Sequence, residues 1–172
     1  GGFAAIDPFN PQYFYGSRYG ISFQRNDQDG SAPLEQWPMK VDGIDRQDRA
    51  LFYAPFALDP GREEVIFYGT HRLYRSMNRG DSWTPISGDL SKGQGSISAI
   101  GVAASASGTV YVGTSDGNVQ ATTNDGGAWT NVTKAPLPNR YVSDIAVVHN
   151  NAQTAYVVFN GFNTHTPDTP GH

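Results

Sequence analysis

Cysteine is absent from the 172 residues, which excludes a disulfide framework, thiol catalysis and Cys-ligated zinc together. Charge is scarce, at 16% of residues, and slightly acidic: 12 Lys and Arg stand against 16 Asp and Glu, for a formal net charge of −4. No Lys/Arg cluster is present, so neither a nucleic-acid partner nor an anionic membrane surface is expected. The longest apolar run is far too short to cross a bilayer, and no basic start followed by an apolar stretch marks a leader, so membrane insertion is not expected. What the chain has instead is turn formers and rings: 20 Gly, 11 Pro and 12% aromatic residues. A disordered chain would lack the aromatics, and a coiled coil would be rich in Ala, Glu, Lys and Leu.

Short aromatic and β-branched runs recur. Tyr13-Phe14-Tyr15-Gly16-Ser17, Ile66-Phe67-Tyr68-Gly69-Thr70, Val110-Tyr111-Val112-Gly113-Thr114 and Tyr156-Val157-Val158-Phe159-Asn160 follow one another, their fourth residues lying 53, 44 and 46 positions apart. Each follows an earlier strand-like segment that closes on turn residues: Phe3–Ile6 before Asp7-Pro8, Pro55–Leu58 before Asp59-Pro60, Ile100–Ala103 before Ser105, and Ile145–Val148 before Asn150-Asn151. Such runs, punctuated by Gly, Pro, Asn and Asp, predict short antiparallel strands. No window sustains a helical period. The fold class is all-β.

The second half of each unit repeats more sharply. Ser76-Met77-Asn78-Arg79-Gly80-Asp81-Ser82-Trp83 aligns with Thr122-Thr123-Asn124-Asp125-Gly126-Gly127-Ala128-Trp129 at an offset of 46 residues. A unit of ~40–50 residues with four strands is what a propeller blade requires. The pattern Ser/Thr-x-Asp/Asn-x-Gly-x-x-Trp resembles the Asp-box, or BNR repeat, of sialidase-like and sortilin-like β-propellers. The stretch Leu51–Leu90, with the segment from Thr109 to Val132, is similar to large bacterial BNR-repeat proteins labelled glycosyl-hydrolase-like. After Phe23-Gln24-Arg25 an Asp-box is due, but Asn26-Asp27-Gln28-Asp29-Gly30 keeps only its turn character before Trp37.

The resemblance implies a β-propeller segment of about three and a half four-stranded antiparallel blades with Asp-box turns. Blade one falls at about 2–39, blade two at 52–86, blade three at 97–132, and an incomplete fourth at 142–172. An arc of this kind is expected to be part of a larger propeller chain, or to be completed by a second copy at its open blade edges. In the Asp-box positions Ser76, Asn78, Gly80, Trp83, Thr122, Asn124, Gly126 and Trp129, the polar side chains and Gly are expected to hold a turn and the Trp rings to pack between blades. These are structural roles, and both copies carry a neutral Asn where Asp is commoner in such repeats.

Candidates for chemistry are few. Asp42, Asp45 and Asp48 recur at intervals of three and are a candidate ligand or calcium loop. Their spacing departs from the D-x-D-x-D-G pattern, so solvated ion pairs with Arg46 and Arg49 are the competing expectation. The Asn26–Gly30 loop is a second, weaker cation candidate. Glycoside hydrolysis needs two carboxyls ~5–9.5 Å apart; Asp42, Asp45, Asp48 and Asp144 are the acids available. Arg18, Arg72, Arg75 and Arg140 do not sit in sialidase-like contexts. His71, His149, His165 and His172 are too scattered for a metal pattern, and Gly93-Gln94-Gly95 lacks the Lys and helix of a phosphate loop. Asn131-Val132-Thr133 fits a glycosylation acceptor. No catalytic or metal residues and no cofactor are therefore assigned.

The function expected is a non-catalytic scaffold or binding segment of an exported BNR-repeat protein, secreted, periplasmic or on the cell surface. It would engage a protein or a glycan through rim loops such as Trp37–Arg49 and Phe162–Gly171. Two alternatives stand beside it: part of a glycoside hydrolase, sialidase- or xyloglucanase-like, whose catalytic acids lie largely outside this chain, and a subunit of an extracellular polymer.

Overall fold

A computed structural model describes residues 2–160. Thirteen strands and one 3₁₀ turn account for the regular structure among them. The first sheet contains β1 (Ala4–Ile6), β2 (Phe14–Ser17) and β3 (Phe23–Asn26). The second contains β4 (Phe56–Leu58), β5 (Ile66–Gly69), β6 (Leu73–Ser76) and β7 (Thr84–Pro85). The third contains β8 (Ile97–Val102), β9 (Val110–Thr114), β10 (Val119–Thr122) and β11 (Thr130–Asn131), and the last pairs β12 (Val142–Val148) with β13 (Asn151–Phe159). Every neighbour is antiparallel and consecutive in sequence, as hairpin-length loops demand. Sheet 1 departs from the four-strand expectation. Its fourth strand is reduced to a single bridge between Gln24 and Met39, and the 3₁₀ turn Leu34–Gln36 occupies the connection. Residues 161–172, where the rim loop Phe162–Gly171 and His165 and His172 fall, lie outside the described residues.

Three identical hydrogen bonds fix the repeat more finely than the apolar runs do. The Asp7, Asp59 and Ala103 amides donate to the carbonyls of Tyr13, Val65 and Thr109 at 2.9–3.0 Å. This equates Ser17, not Gly16, with Gly69 and Gly113. Tyr15, Phe67 and Tyr111 then become equivalent, each on the face turned toward the following sheet. The run ending in Phe159 shifts likewise: Ala155, Val157 and Phe159 pack back on sheet 3, and Tyr156 faces away.

The core lies between sheets, not inside one. Tyr15 and Phe23 of sheet 1 meet Phe56, Ile66, Tyr68, Tyr74 and Trp83 of sheet 2. Val65, Phe67 and Leu73 of sheet 2 meet Ile97, Val110 and Val112 of sheet 3, and Val119 and Ala99 meet Val142 and Ile145. A strand only four residues long has too little surface to bury on its own; stacking sheet on sheet supplies the rest.

Trp83 is 4% exposed, 5.0 Å from the Phe23 ring and 5.8 Å from that of Tyr68, edge-on to both. Replacing it with Ala should cost about 3–5 kcal/mol in denaturant unfolding. Trp83→Phe, which keeps a ring but loses the indole donor, should cost about 1 kcal/mol from the lost hydrogen bond alone.

Candidate functional site

The two Trp-ended turns share one geometry. Ser76 Oγ accepts from the amides of Asn78 (3.2 Å) and Gly80 (2.8 Å) and donates to Asn78 Oδ1 (2.9 Å), which accepts in turn from the Ser82 amide (2.9 Å). Thr122 Oγ1 accepts from Asn124 (3.4 Å) and Gly126 (3.0 Å) and donates to Asn124 Oδ1 (2.9 Å), which accepts from the Ala128 amide (2.9 Å). Gly80 and Gly126 sit at φ of +87° and +88°, where a side chain is strained. Beyond each turn the indole reaches the preceding sheet: Trp83 Nε1 donates to the Lys40 carbonyl and Trp129 Nε1 to the Ile86 carbonyl, both at 3.0 Å and both 43 residues back. A third copy is hidden at Asn26, whose Oδ1 accepts from Gln28 (2.7 Å) and Gly30 (3.1 Å) as the hydroxyls do elsewhere. Asp29 (φ +55°) matches Arg79 (+55°) and Asp125 (+57°). Asn replaces Ser/Thr there, and that change hid the turn from the sequence pattern.

The carboxylates at 42, 45 and 48 diverge. Asp48 is buried and its oxygens accept from Tyr74 OH (2.6 Å), Thr70 Oγ1 (2.8 Å) and Arg72 NH2 (2.7 Å), with His71 Nδ1 3.7 Å away. Asp45 is exposed and accepts from the Gln47 amide, and Asp42 is exposed, with its main-chain carbonyl accepting from the Trp83 amide. They form no shared cation cage, and among the described residues no group of three His, Asp or Glu side chains is arranged to hold a metal ion. The expected Asp45–Arg49 pairing is replaced: Arg49 pairs with Asp89. Asp29 in the Asn26–Gly30 loop is taken up in the turn just described. Asp144 is exposed on β12, its Oδ1 accepting from the Ile145 amide at 2.8 Å. Of the four arginines, Arg72 is held by Asp48, Arg75 pairs with Asp125 at 3.2 Å, and Arg18 lies over the Tyr19 ring; Arg140 is buried, beside Gly117.

Two buried ionic nodes went unnoticed in the sequence. Asp7, 4% exposed, accepts from Tyr15 OH (2.8 Å) and Arg79 Nε (3.0 Å), and Arg79 also pairs with Glu63 and Glu64. Asp59, 1% exposed, accepts from Arg62 Nε (2.8 Å), whose NH1 reaches Asp125 Oδ2 at 2.9 Å. Each node joins the turn after one sheet's first strand to the left-handed turn residue of the next sheet, Arg79 or Asp125. The signal was the repeated Asp-Pro at 7–8 and 59–60. In the same place Oδ1 of each Asp caps two turn amides.

Electrostatics separate these acids from a catalytic pair. Burial pushes Asp7 and Asp48 upward, but hydrogen bonds from Tyr15 to Asp7 and from Tyr74 and Thr70 to Asp48, with the arginines, hold both below the ordinary carboxyl range. Asp81, Asp89 and Asp125 are displaced downward too. A general acid for glycoside cleavage needs the opposite displacement.

At one end of the arc, where the inner strands begin, lies a ledge of rings. Phe3, Tyr19, Phe52, Tyr53 and Tyr141 are 37–67% exposed. Tyr19 stacks on Phe52 (6.1 Å, 25°), and Phe52 meets Tyr53 edge-on at 4.8 Å. Beside them Ser98 of β8 and Gly2, Phe3, Tyr53 and Tyr141, from the segments leading into the other three sheets, line a groove of about 350 Å³. The pattern that would have flagged it is positional: Phe3, Tyr53 and Tyr141 each stand at or just before the start of a sheet's first strand.

No protein-family model matches the sequence, and no curated protein matches it. Solved structures do. The Niastella koreensis GH74 enzyme superposes with a TM-score of 0.55 at 19% identity, over 84% of this chain and 24% of its own. The GH74 xyloglucanase from Xanthomonas campestris gives 0.57 and 19%, over 86% and 25%. YCF48 bound to D1 peptide gives 0.54 and 11%, over 92% and 65%. The chain thus spans about a quarter of the length of the two GH74 enzymes. At such identities the similarity speaks for fold. The fold is an all-β propeller segment of antiparallel sheets, two of them four-stranded among the described residues.

Asp48→Asn keeps the shape and removes the charge that Arg72, Thr70 and Tyr74 serve. It should lose about 1–3 kcal/mol at neutral pH. Because the folded carboxyl lies below its ordinary 3.8, its contribution is present above that value and is lost as pH falls through the folded pKa. The gap between variant and wild type in urea titrations should therefore close in acid. Tyr74, raised by burial and by Asp48 to about 12, works in the other direction: its contribution holds below pH ~10 and fades as pH climbs toward that value.

Proposed function

We propose that this chain is a non-catalytic propeller segment whose stacked sheets hold an aromatic ledge against a partner, either a peptide or a glycan chain. The observation that carries this reading is the ledge itself. Exposed rings gathered from several loops at one end, beside a groove, are what an interaction site presents. Asp7 and Asp48 point the same way, being held by Tyr, Thr and Arg donors that keep both carboxyls below the ordinary range. The YCF48 structure, bound to a peptide, supports the idea that such a fold holds a polypeptide. On this reading the Ser76–Trp83 and Thr122–Trp129 segments are Asp-boxes with a structural role, and the protein works outside the cytoplasm.

A second reading is favoured by the two GH74 neighbours: the chain is one portion of a glycoside hydrolase with catalytic acids outside it. The ledge would then steer a sugar chain toward them.

Isothermal titration tests the ledge on which both readings rest. A xyloglucan oligosaccharide and an extended peptide with aromatic and basic residues are each titrated into the protein and into Phe52→Ala/Tyr53→Ala. Binding of either probe that weakens about tenfold or more in the double variant, ~1–3 kcal/mol of lost stacking, supports the ledge. Binding of neither probe, or binding indifferent to both rings, overturns it. Binding of the sugar with no affinity for the peptide makes the partner a glycan chain, and the reverse makes it a peptide.

A further inference from the structure

The outward face of sheet 1 is built unlike the corresponding face of sheet 2. On sheet 2 the face toward its predecessor carries Tyr68, Tyr74 and Trp83, all buried, with Phe23 of sheet 1 lying 6.4 Å from Tyr68. Tyr68 pairs across the strands with Tyr74; the corresponding cross-strand pair in sheet 1 is Gly16 with Gln24. Two rings are thus missing from the face of sheet 1 that turns away from sheet 2. Among the described residues no other sheet covers it. Yet Gly16 is buried.

The cover comes from the chain's own connection. Gly30 and Trp37 are seven positions apart, where Gly80 and Trp83, and Gly126 and Trp129, are three apart. The four extra residues give room for the 3₁₀ turn Leu34–Gln36. Leu34 Cδ1 fills the hollow left by Gly16, 2.7 Å from where a Cβ would stand, and Trp37 meets Phe14 edge-on at 6.4 Å. Gln24 Nε2 donates to the carbonyls of both Leu34 (3.1 Å) and Trp37 (2.8 Å), fastening the segment to the sheet. Most telling is the indole. Met39 beside Gln24 occupies the ladder position that Pro85 holds beside Tyr74 and Asn131 beside Gln120, so Trp37 is the counterpart of Trp83 and Trp129. Those two donate to the preceding sheet, whereas Trp37 Nε1 donates to Ala32 O, 2.7 Å away within its own segment. The segment's outer surface, Ser31, Glu35 and Gln36, is exposed and polar.

We propose that residues 31–37 are a built-in cap, an insertion that covers the outward face of β1–β3 in the place a neighbouring sheet would take. Stacked arrays need such a terminal unit with a polar outer face, because an uncovered apolar face recruits other chains. Tyr156, equivalent to the buried Tyr15 and Phe67, is 68% exposed on β13.

The test uses the full chain with Tyr156→Lys, so that any self-association reports on sheet 1. Deleting Ala32–Glu35 restores the three-residue spacing and removes the cap; Leu34→Asp disrupts it at constant length and serves if the deletion does not fold. Sedimentation velocity and native-state hydrogen exchange are read together. The cap predicts that uncapped chains self-associate with rising concentration, and that β1–β3 amides exchange about tenfold faster or more while β8–β11 amides stay unchanged. If Leu34→Asp, or the deletion, leaves both sedimentation and β1–β3 exchange as in the parent, the segment is an ordinary loop and the proposal fails.

Discussion

Everything in this molecule depends on each sheet being finished by the next. A strand of three to five residues presents at most three side chains per face, so a sheet of such strands has no interior of its own. The apolar surface is buried only at the seams, where Tyr15 and Phe23 meet Trp83, or Phe67 meets Ile97. Seam burial is non-directional and would tolerate sliding. The indole donors remove that freedom, because Trp83 and Trp129 each bond a carbonyl in the outer part of the preceding sheet. The ionic nodes at Asp7–Arg79 and Asp59–Arg62–Asp125 pin the same seams at the end where the first strand turns into the second. They are weak as stability devices, since desolvation offsets much of the attraction, but as registers they fix one orientation.

A rigid seam is also what makes a ledge possible. Phe3, Tyr53 and Tyr141 come from segments that lead into separate sheets, and their mutual placement is inherited from the stacking. Loops can vary there without disturbing a core that lies elsewhere. The fold itself is shared with two GH74 structures and with YCF48 at identities of 19% and 11%. The same separation explains why buried Asp48, conspicuous in sequence as part of a carboxylate triplet, works as an anchor tying the sheet 1–2 connection to Thr70, Arg72 and Tyr74.

Much of this was legible in the residues and some was not, for physical reasons. The all-β class and the strand pairs followed from runs such as Ile66–Gly69 because alternation and turn formers act locally. The Trp-ended turns were visible because their hydrogen bonds span only four residues. The register slipped by one at Gly16 and at Phe159. An apolar run shows that a strand exists, but which residue opposes which depends on turn hydrogen bonds such as Asp7 to Tyr13. The turn at Asn26 escaped because a side-chain carbonyl can replace a hydroxyl as acceptor without matching the pattern. The ledge, the ionic nodes and the cap join residues far apart in the chain, Arg79 and Asp7 across 72 positions and Phe3 and Tyr141 from opposite ends of the described residues, and no single window contains them.

The most direct measurement of the central claim is native-state exchange of the two seam indole protons, Trp83 Nε1–H and Trp129 Nε1–H. If the indoles clamp one sheet to the next, both protons exchange only through openings as costly as those that release the buried amides of β5 and β9. Indole protons that exchange at solvent-limited rates while those strand amides remain protected would show sheets that stack without being stapled, and would contradict the account.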